Sequence, residues 1–205
     1  MNTTKQLICI IILLLLSSCT QRPLSARDYV AWVNNKQHGL KVETTFGDFA
    51  FTLFYRPLPY LALKEFPDGQ FKKQDINKQI NDMSEFQYYT LEIASCDKKT
   101  DVLQNGLRSK DEYYARIQYF SFLMQNDLFL MDGDEKLPCK LFQYERDFNL
   151  SPFQRFSLGF PHSTSKKTNS DKSLVYVDKV LGIEKEVKLT IKGSNIEEIP
   201  DLNLN

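Results

Sequence analysis

The chain has 205 residues, of which 42% are hydrophobic and 13% aromatic, and it carries 26 basic and 26 acidic residues. This composition predicts a folded domain with a sizeable core, because disordered chains combine few apolar residues with a high net charge. The balanced charge gives no reason to expect a nucleic-acid partner, because proteins that bind nucleic acids usually carry an excess of lysine and arginine.

The first 18 residues have the pattern of a secretory signal peptide. Lys5 precedes an apolar run from Leu7 to Leu16, which is too short to cross a bilayer as a helix. Two small residues and Cys19 follow. This order, leucine, two small residues and a cysteine, resembles the lipobox of bacterial lipoproteins.

The lipobox resemblance implies cleavage before Cys19, diacylation of its thiol and acylation of its new amino group. It places the mature protein in the bacterial cell envelope, attached to the membrane by a lipid. Thr20 stands where some lipoproteins retained in the inner membrane have Asp, and no acid precedes Asp28. These features favour the periplasmic face of the outer membrane. An ordinary signal peptide and an uncleaved anchor remain alternatives.

The leader divides the chain into a signal peptide (1–18), a lipidated tether (19–24) and a single domain (25–205). The five residues that follow Cys19, Thr20 to Leu24, reach at most about 17 Å when extended. We therefore expect the domain to lie close to the membrane. Beyond the leader, the sequence resembles no family.

A helix is predicted at the start of the domain. Ser25 can cap it, and Gly39 follows its end. Its core-facing positions are Tyr29, Trp32 and Val33.

A β-hairpin is the clearest local prediction. Residues 40–46 and 49–55 alternate apolar and polar side chains around Gly47-Asp48, a two-residue turn. Such a turn pairs Phe46 with Phe49 and gathers the apolar side chains on one face.

Helices are predicted over 60–66 and behind Asp75, followed by a strand over 85–95. Ser109 then begins a capping box before a further helix. Its apolar stripe is Tyr113, Ile117, Phe120 and Met124, widened by Tyr114, Phe122 and Leu123. We expect so broad an apolar surface to be buried against a sheet.

The last third of the chain is predicted to form β-strands. They are predicted over 128–131, 139–144, around Phe156 to Phe160, and over 174–177 and 187–191, with residues 163–173 as a mobile loop and residues 196–204 extended along an edge. Helices and hairpin-connected strands without regular alternation predict an α+β fold with a largely antiparallel sheet and packed helices. A β-sandwich with inserted helices is the alternative.

Two cysteines remain in the folded domain. Cys96 and Cys139 could form a disulfide in an oxidising compartment, or they could be separate buried thiols. A catalytic thiol is disfavoured because the sequence has no Cys-x-x-Cys motif and no histidine near either residue.

The candidate chemical sites have simpler structural interpretations. Asp132, Asp134 and Glu135 resemble part of a calcium loop, but a solvated hairpin turn explains them better. His162 beside Ser163 and Ser165 is not a catalytic triad, because a triad is a spatial arrangement. His38 fits the end of the first helix. We predict no catalytic residues, no metal site and no cofactor.

Five tyrosines could line a sugar or peptide groove, although their spacing favours core packing. They are Tyr88, Tyr89, Tyr113, Tyr114 and Tyr119. Paired carboxylates for hydrolysis are also open, because the fold sets their separation. The leading hypothesis is a non-catalytic, membrane-anchored envelope lipoprotein that docks a protein complex or binds an envelope ligand. The alternative is a lipid-anchored hydrolase acting on glycan or peptide.

Overall fold

Two antiparallel sheets and five α-helices form the part of the chain that the structure describes. The structure is a computed structural model, and it describes residues 22–146, 151, 153–164 and 169–204. The strands are β1 Lys41–Phe46, β2 Phe49–Arg56, β3 Phe86–Ser95, β4 Leu128–Asp132, β5 Glu135–Pro138, β6 Leu141–Glu145, β7 Phe153–Pro161, β8 Lys172–Tyr176 and β9 Val187–Ile191. The helices are α1 Ala26–Asn34, α2 Leu58–Lys64, α3 Lys73–Asp82, α4 Lys110–Gln118 and α5 Gly193–Glu197.

The strand order is β1-β2-β3-β7-β6 in one sheet and β5-β4-β8-β9 in the other. One core contains Phe51 and Leu91 from the five-stranded sheet together with Leu130 and Leu174 from the four-stranded sheet. The ring centroids of Phe51 and Tyr176 lie 6.2 Å apart. This architecture confirms the predicted α+β class with largely antiparallel sheets. Two sheets that share one core are also what the alternative, a β-sandwich with inserted helices, would contain.

The β1–β2 hairpin has the predicted register, with Phe46 opposite Phe49. Gly47 adopts a φ of +55°, in the left-handed region that glycine tolerates. Because side chains alternate along a strand, the buried Phe51 and Leu53 set one face of β2 toward the core. Arg56, three residues after Leu53, therefore lies on the outer face.

The first three helices build a second apolar cluster. Ser25 caps α1 by accepting the Asp28 N–H at 3.3 Å, as the sequence predicts. Tyr29, Tyr60 and Ile76 bring α1, α2 and α3 together in this cluster. The cluster closes one end of the molecule and leaves the outer face of β2 and β3 beside α2.

Three helix boundaries differ from the predicted ones. Helix α1 ends at Asn34, because a separate 3₁₀ turn, Lys36–His38, follows it and is the element that Gly39 caps. Helix α2 begins at Leu58, because Pro59 falls in its first turn, where a missing N–H breaks no helical hydrogen bond. Helix α3 begins at Lys73, and Asp75 accepts the Lys72 N–H at 2.9 Å. The aspartate therefore lies inside the first turn of α3.

The segment after α4 changes its helical pitch. A π-helical turn, Tyr119–Leu123, leads into a 3₁₀ turn, Met124–Asp127. Phe120 and Met124 are buried as predicted, but Tyr114, Phe122 and Leu123 are 64%, 74% and 48% exposed. The prediction that all seven apolar residues are buried is wrong, because only one side of this segment contacts the core.

The two ends of the described domain meet. Leu24 N–H donates to Asp201 O, and Asn203 N–H donates to Leu24 O, both at 2.8 Å. Leu24 is therefore held against the C-terminal segment of the chain. The expected extension over 196–204 is partly wrong, since Ile196 belongs to α5, where it is partly buried and packs against both apolar clusters.

The predicted mobile loop over 163–173 is fixed at both described ends. Thr164 N–H donates to Glu135 at 2.9 Å, and Ser170 donates to Asp132. Residues 165–168 lie outside the described ranges. No helix within those ranges has the length and hydropathy needed to span a membrane.

Candidate functional site

A groove of about 480 Å³ crosses the outer face of the five-stranded sheet. Its volume lies in the range of small-ligand sites. Leu61 of α2 borders one side, and Gln125 of the 3₁₀ turn borders the other. Among the described residues, its lining contains hydroxyls, amides and two cations but no Asp or Glu: Arg56, Tyr88, Thr90, Lys140, Gln143 and Ser157.

The strand register explains why these distant residues meet. Cross-strand pairing places one row across the sheet and a second row beside it. The first row is Arg56, Tyr88, Gly159 and Leu141, and the second is Lys41, Phe54, Thr90, Ser157 and Gln143. Because neighbouring strands lie about 4.8 Å apart, Arg56 and Leu141 stand about 14 Å apart.

Arg56 supplies the positive charge at the α2 side of the groove. Its Nε donates a hydrogen bond to Thr90 Oγ1 at 3.0 Å. Its guanidinium carbon lies 4.4 Å from the ring centroid of Phe54 and 5.2 Å from that of Tyr60. Within the described ranges it forms no ion pair with a carboxylate. Its Nη donors are therefore left for solvent or a ligand.

Among the described residues, Glu92 and Glu145 are near enough to favour the charged form of Arg56, but neither forms an ion pair with it. Burial lowers the pKa of its guanidinium, and the opposing effects of Tyr60 and Glu92 do not fully offset this. Lys41 lies 4.6 Å from the Phe54 ring, and Lys64 lies 5.6 Å from the Tyr60 ring. An anion beside Arg56 would compensate for both the burial and the neighbouring cations.

Arg116 is an arginine with a structural role, and its hydrogen-bond partners can be compared with those of Arg56. It is buried, and its Nη atoms donate to the carbonyls of Val102, Asn105 and Val180 at 2.6 to 2.9 Å. Those bonds fasten two loops to α4. Arg56 has no comparable set of carbonyl acceptors among the described residues.

The far side of the groove is shaped by a glycine. A Cβ at Gly159 would lie 2.8 Å from Leu141 Cβ, so only glycine lets this leucine lie across β7. Lys140 N–H donates to Gly159 O at 2.9 Å, which fixes the backbone of Lys140 at the entrance. Gln125 and Lys140 also line a second depression, of about 610 Å³, which adjoins the groove.

A row of charged residues runs along the other side of the second row. Arg155 lies 2.9 Å from Glu92 and 3.6 Å from Glu145, and Ser157 donates to Glu145 at 2.6 Å. Strand spacing puts the two glutamates about 10 Å apart, with the guanidinium between them. They form an ion-pair network and are not arranged as an acid and a base facing a shared substrate.

Asp132 belongs to a buried polar network between the sheets. Lys172 and Ser170 both bond its carboxylate, Gln87 donates to it at 3.3 Å, and Tyr89 donates to Gln87 at 2.9 Å. Burial alone would raise the pKa of Asp132, but the bonds from Lys172 and Ser170 lower it below its usual value. This cluster links β3, β4 and β8.

The predicted hairpin turn at 132–135 is present, with Asp132 paired to Glu135, but it is not simply solvated. Besides the buried Asp132, Glu135 accepts hydrogen bonds from Ser163 at 2.6 Å and from Thr164. Glu135 thus holds the start of the following connection. No group of three metal-ligating side chains occurs in the described ranges.

The two histidines have structural contacts. The His38 ring stacks on Trp32 with centroids 4.0 Å apart, and His162 Nε2 lies 3.2 Å from the Ser84 carbonyl oxygen. Ser163 donates to Glu135 instead of to His162. Ser165 lies outside the described residues.

The structure contains no bridge between Cys96 and Cys139. Both thiols are free, but only Cys139 is buried, so the alternative of two buried thiols is wrong for the exposed Cys96. Cys139 lies beside the start of β6, near Gly159, whereas Cys96 follows the far end of β3. Gly159 pairs with Tyr88, eight residues before Cys96, so about 27 Å of strand separates the two ends. A disulfide requires Cα atoms within about 7 Å. Burial raises the pKa of the Cys139 thiol to about 12. Cys19 lies outside the described residues.

The tyrosines divide between the core and the surface. Tyr89 and Tyr119 are buried, and Tyr113 packs against the core, as expected. Tyr114 is exposed, and Tyr88 lines the groove. Arg56 was not predicted from the sequence, although its position two residues after Phe54 on the outer face of β2 was an available signal.

The chain was compared with protein-family models, with curated proteins and with solved structures. None of the three comparisons gave a match. The groove and its residues are therefore the basis for the functional proposal.

Proposed function

We propose that this protein is a non-catalytic lipoprotein of the bacterial envelope that binds an envelope ligand in the groove beside Arg56. Acyl chains on Cys19 would hold it at the periplasmic face of the outer membrane. Docking of a protein complex is the other form of the same hypothesis. The groove, with cations and hydroxyls but no lining carboxylate among the described residues, is the observation that favours a small ligand.

The start of the fold supports a short tether. Leu24 is hydrogen-bonded to Asp201 and Asn203, so Thr20 to Pro23 are the residues between Cys19 and the fold. The span from Cys19 to Leu24 is at most about 17 Å. A domain held so close to the lipid would meet ligands at the membrane surface.

The carboxylates near the groove favour binding over hydrolysis. A glycosidase uses one carboxylic acid and one carboxylate that both reach the scissile bond. Glu92 and Glu145 instead share Arg155, and Glu145 also accepts a hydrogen bond from Ser157. No specific feature of the groove favours the hydrolase alternative.

Membrane partition of the full-length protein tests the anchor. Cys19→Ala removes the acceptor of the lipid, whereas Cys9→Ala changes the other leader cysteine and serves as the matched control. We expect the wild type and Cys9→Ala to enter the detergent phase after labelling with an alkyne fatty acid, and Cys19→Ala to lose the label. Equal labelling of all three proteins would overturn the proposed anchor.

A further inference from the structure

We propose that the groove binds an acidic glycan, with Arg56 receiving an oxyanion of the sugar and Lys140 receiving a second one. This inference rests on the proposed function, since it names the ligand class of the same groove. Its basis is the arrangement of two cations on opposite sides of a floor made of hydroxyl and amide side chains.

Arg56 is prepared to receive an oxyanion. The hydrogen bond from Nε to Thr90 fixes the guanidinium, and the Phe54 and Tyr60 rings hold its faces. A guanidinium fixed in this way offers paired N–H donors that match a carboxylate or phosphate. Within the described ranges, no protein carboxylate takes those donors.

The floor between the cations suits a sugar. Tyr88 and Thr90 provide hydroxyl groups, and Gln143 provides an amide. Such groups both donate and accept hydrogen bonds, as sugar hydroxyls require. Ser157 donates its hydroxyl hydrogen to Glu145 and therefore adds only an acceptor oxygen. The Tyr88 ring adds an amphipathic surface against which a sugar can pack.

The charge pattern favours one orientation of the ligand across the sheet. The row with Glu92 and Glu145 lies beside the groove and repels an anion, while Arg56 attracts it. Arg56 and Leu141, which follows Lys140, are about 14 Å apart across the strands. A short chain with acids at both ends would therefore lie perpendicular to the strands.

Binding of trigalacturonate to the acylated protein in detergent tests this inference. The neutral control probe is its fully methyl-esterified form, and inorganic phosphate tests whether any oxyanion suffices. We expect Arg56→Gln to bind trigalacturonate at least about tenfold more weakly, because a charge-assisted hydrogen-bonded pair is lost. Arg56→Lys should be intermediate, because it keeps the charge but loses the paired donors.

Two further variants make the test specific. Lys64→Gln removes a cation that contacts the same Tyr60 ring but does not line the groove, so its affinity should stay within about twofold of the wild type. Lys140→Gln should weaken binding of trigalacturonate, because it removes the second of the two cations that line the groove. Unfolding curves of the variants serve to confirm that each is folded.

Three results would overturn the inference. The first is equal affinity for trigalacturonate and its methyl ester. The second is an equal loss of affinity in Lys64→Gln and Arg56→Gln. The third is an affinity for inorganic phosphate as high as that for trigalacturonate. Cleavage of the probe, read from its mass after incubation, would instead contradict the non-catalytic function. Failure of the wild type to bind trigalacturonate would also overturn the inference, but it would leave the proposed lipid anchor standing.

Discussion

At the scale of single residues, the fold separates charges that hold it together from charges that remain available. Asp132 and Lys172 form an ion pair in which the side chains are 3% and 16% exposed. The Nη atoms of Arg116 donate to backbone carbonyls. Arg56 differs from both, because its described partners are one hydroxyl and two aromatic rings. This difference is why we assign ligand binding to Arg56.

The buried pair predicts a large cost for Asp132→Asn. The substitution leaves Lys172 without its counter-ion, and breaking a buried pair typically costs about 3–5 kcal/mol. Asp171→Asn is the matched control, since Asp171 and Lys192 form an exposed pair at 2.7 Å, worth about 0–1 kcal/mol. Urea unfolding measures both changes. Similar costs for the two variants would contradict the structural role of Asp132.

The same network predicts a pH dependence of stability. The pKa of Asp132 is lower in the folded protein than its ordinary value of 3.8. Its contribution to the free energy of unfolding is therefore fully present above that value and is lost as the pH falls through the lower folded pKa. Asp132→Asn should lose this part of the acid dependence.

At the scale of secondary-structure elements, the helical segment after α4 places neighbouring aromatic residues on opposite sides. The Phe120 ring packs against Phe156 with centroids 5.2 Å apart, whereas Phe122 is 74% exposed. Phe120→Ala should therefore cost about 3–5 kcal/mol, and Phe122→Ala should change stability by less than about 0.5 kcal/mol. Thermal and urea unfolding of the two variants check the contrast. Equal destabilisation would show that the segment is rotated.

Local elements could be predicted from the sequence where the signal lies within a few neighbouring residues. The Gly47 turn determines the pairing of Phe46 with Phe49, and the Ser25 cap determines where α1 begins. The burial of Phe122 was predicted wrongly because it lies two residues from Phe120, on the opposite side of a helical segment of which only one side contacts the core.

The groove could not be predicted, because it depends on contacts between distant strands. Arg56, Tyr88 and Gly159 lie in one row only through the pairing of β2, β3 and β7. The distance between Cys96 and Cys139 has the same origin. Spacing along the chain allowed a disulfide, but the register separates the two cysteines along the sheet.

At the scale of the whole molecule, the proposed lipid anchor and short tether would hold a domain whose groove is lined by two cations. Leu24 joins the fold through Asp201 and Asn203, so the anchor would hold this end of the domain near the membrane. The groove lies on the outer face of the five-stranded sheet, outside the core that the two sheets share. A ligand could therefore enter it without separating the sheets.

Intact mass spectrometry of the protein purified from bacterial membranes tests the central claim, lipid anchoring at Cys19, most directly. We predict a mature chain that begins at Cys19 and carries the added mass of acyl chains. A mature chain that begins elsewhere and carries no acyl mass would contradict the account.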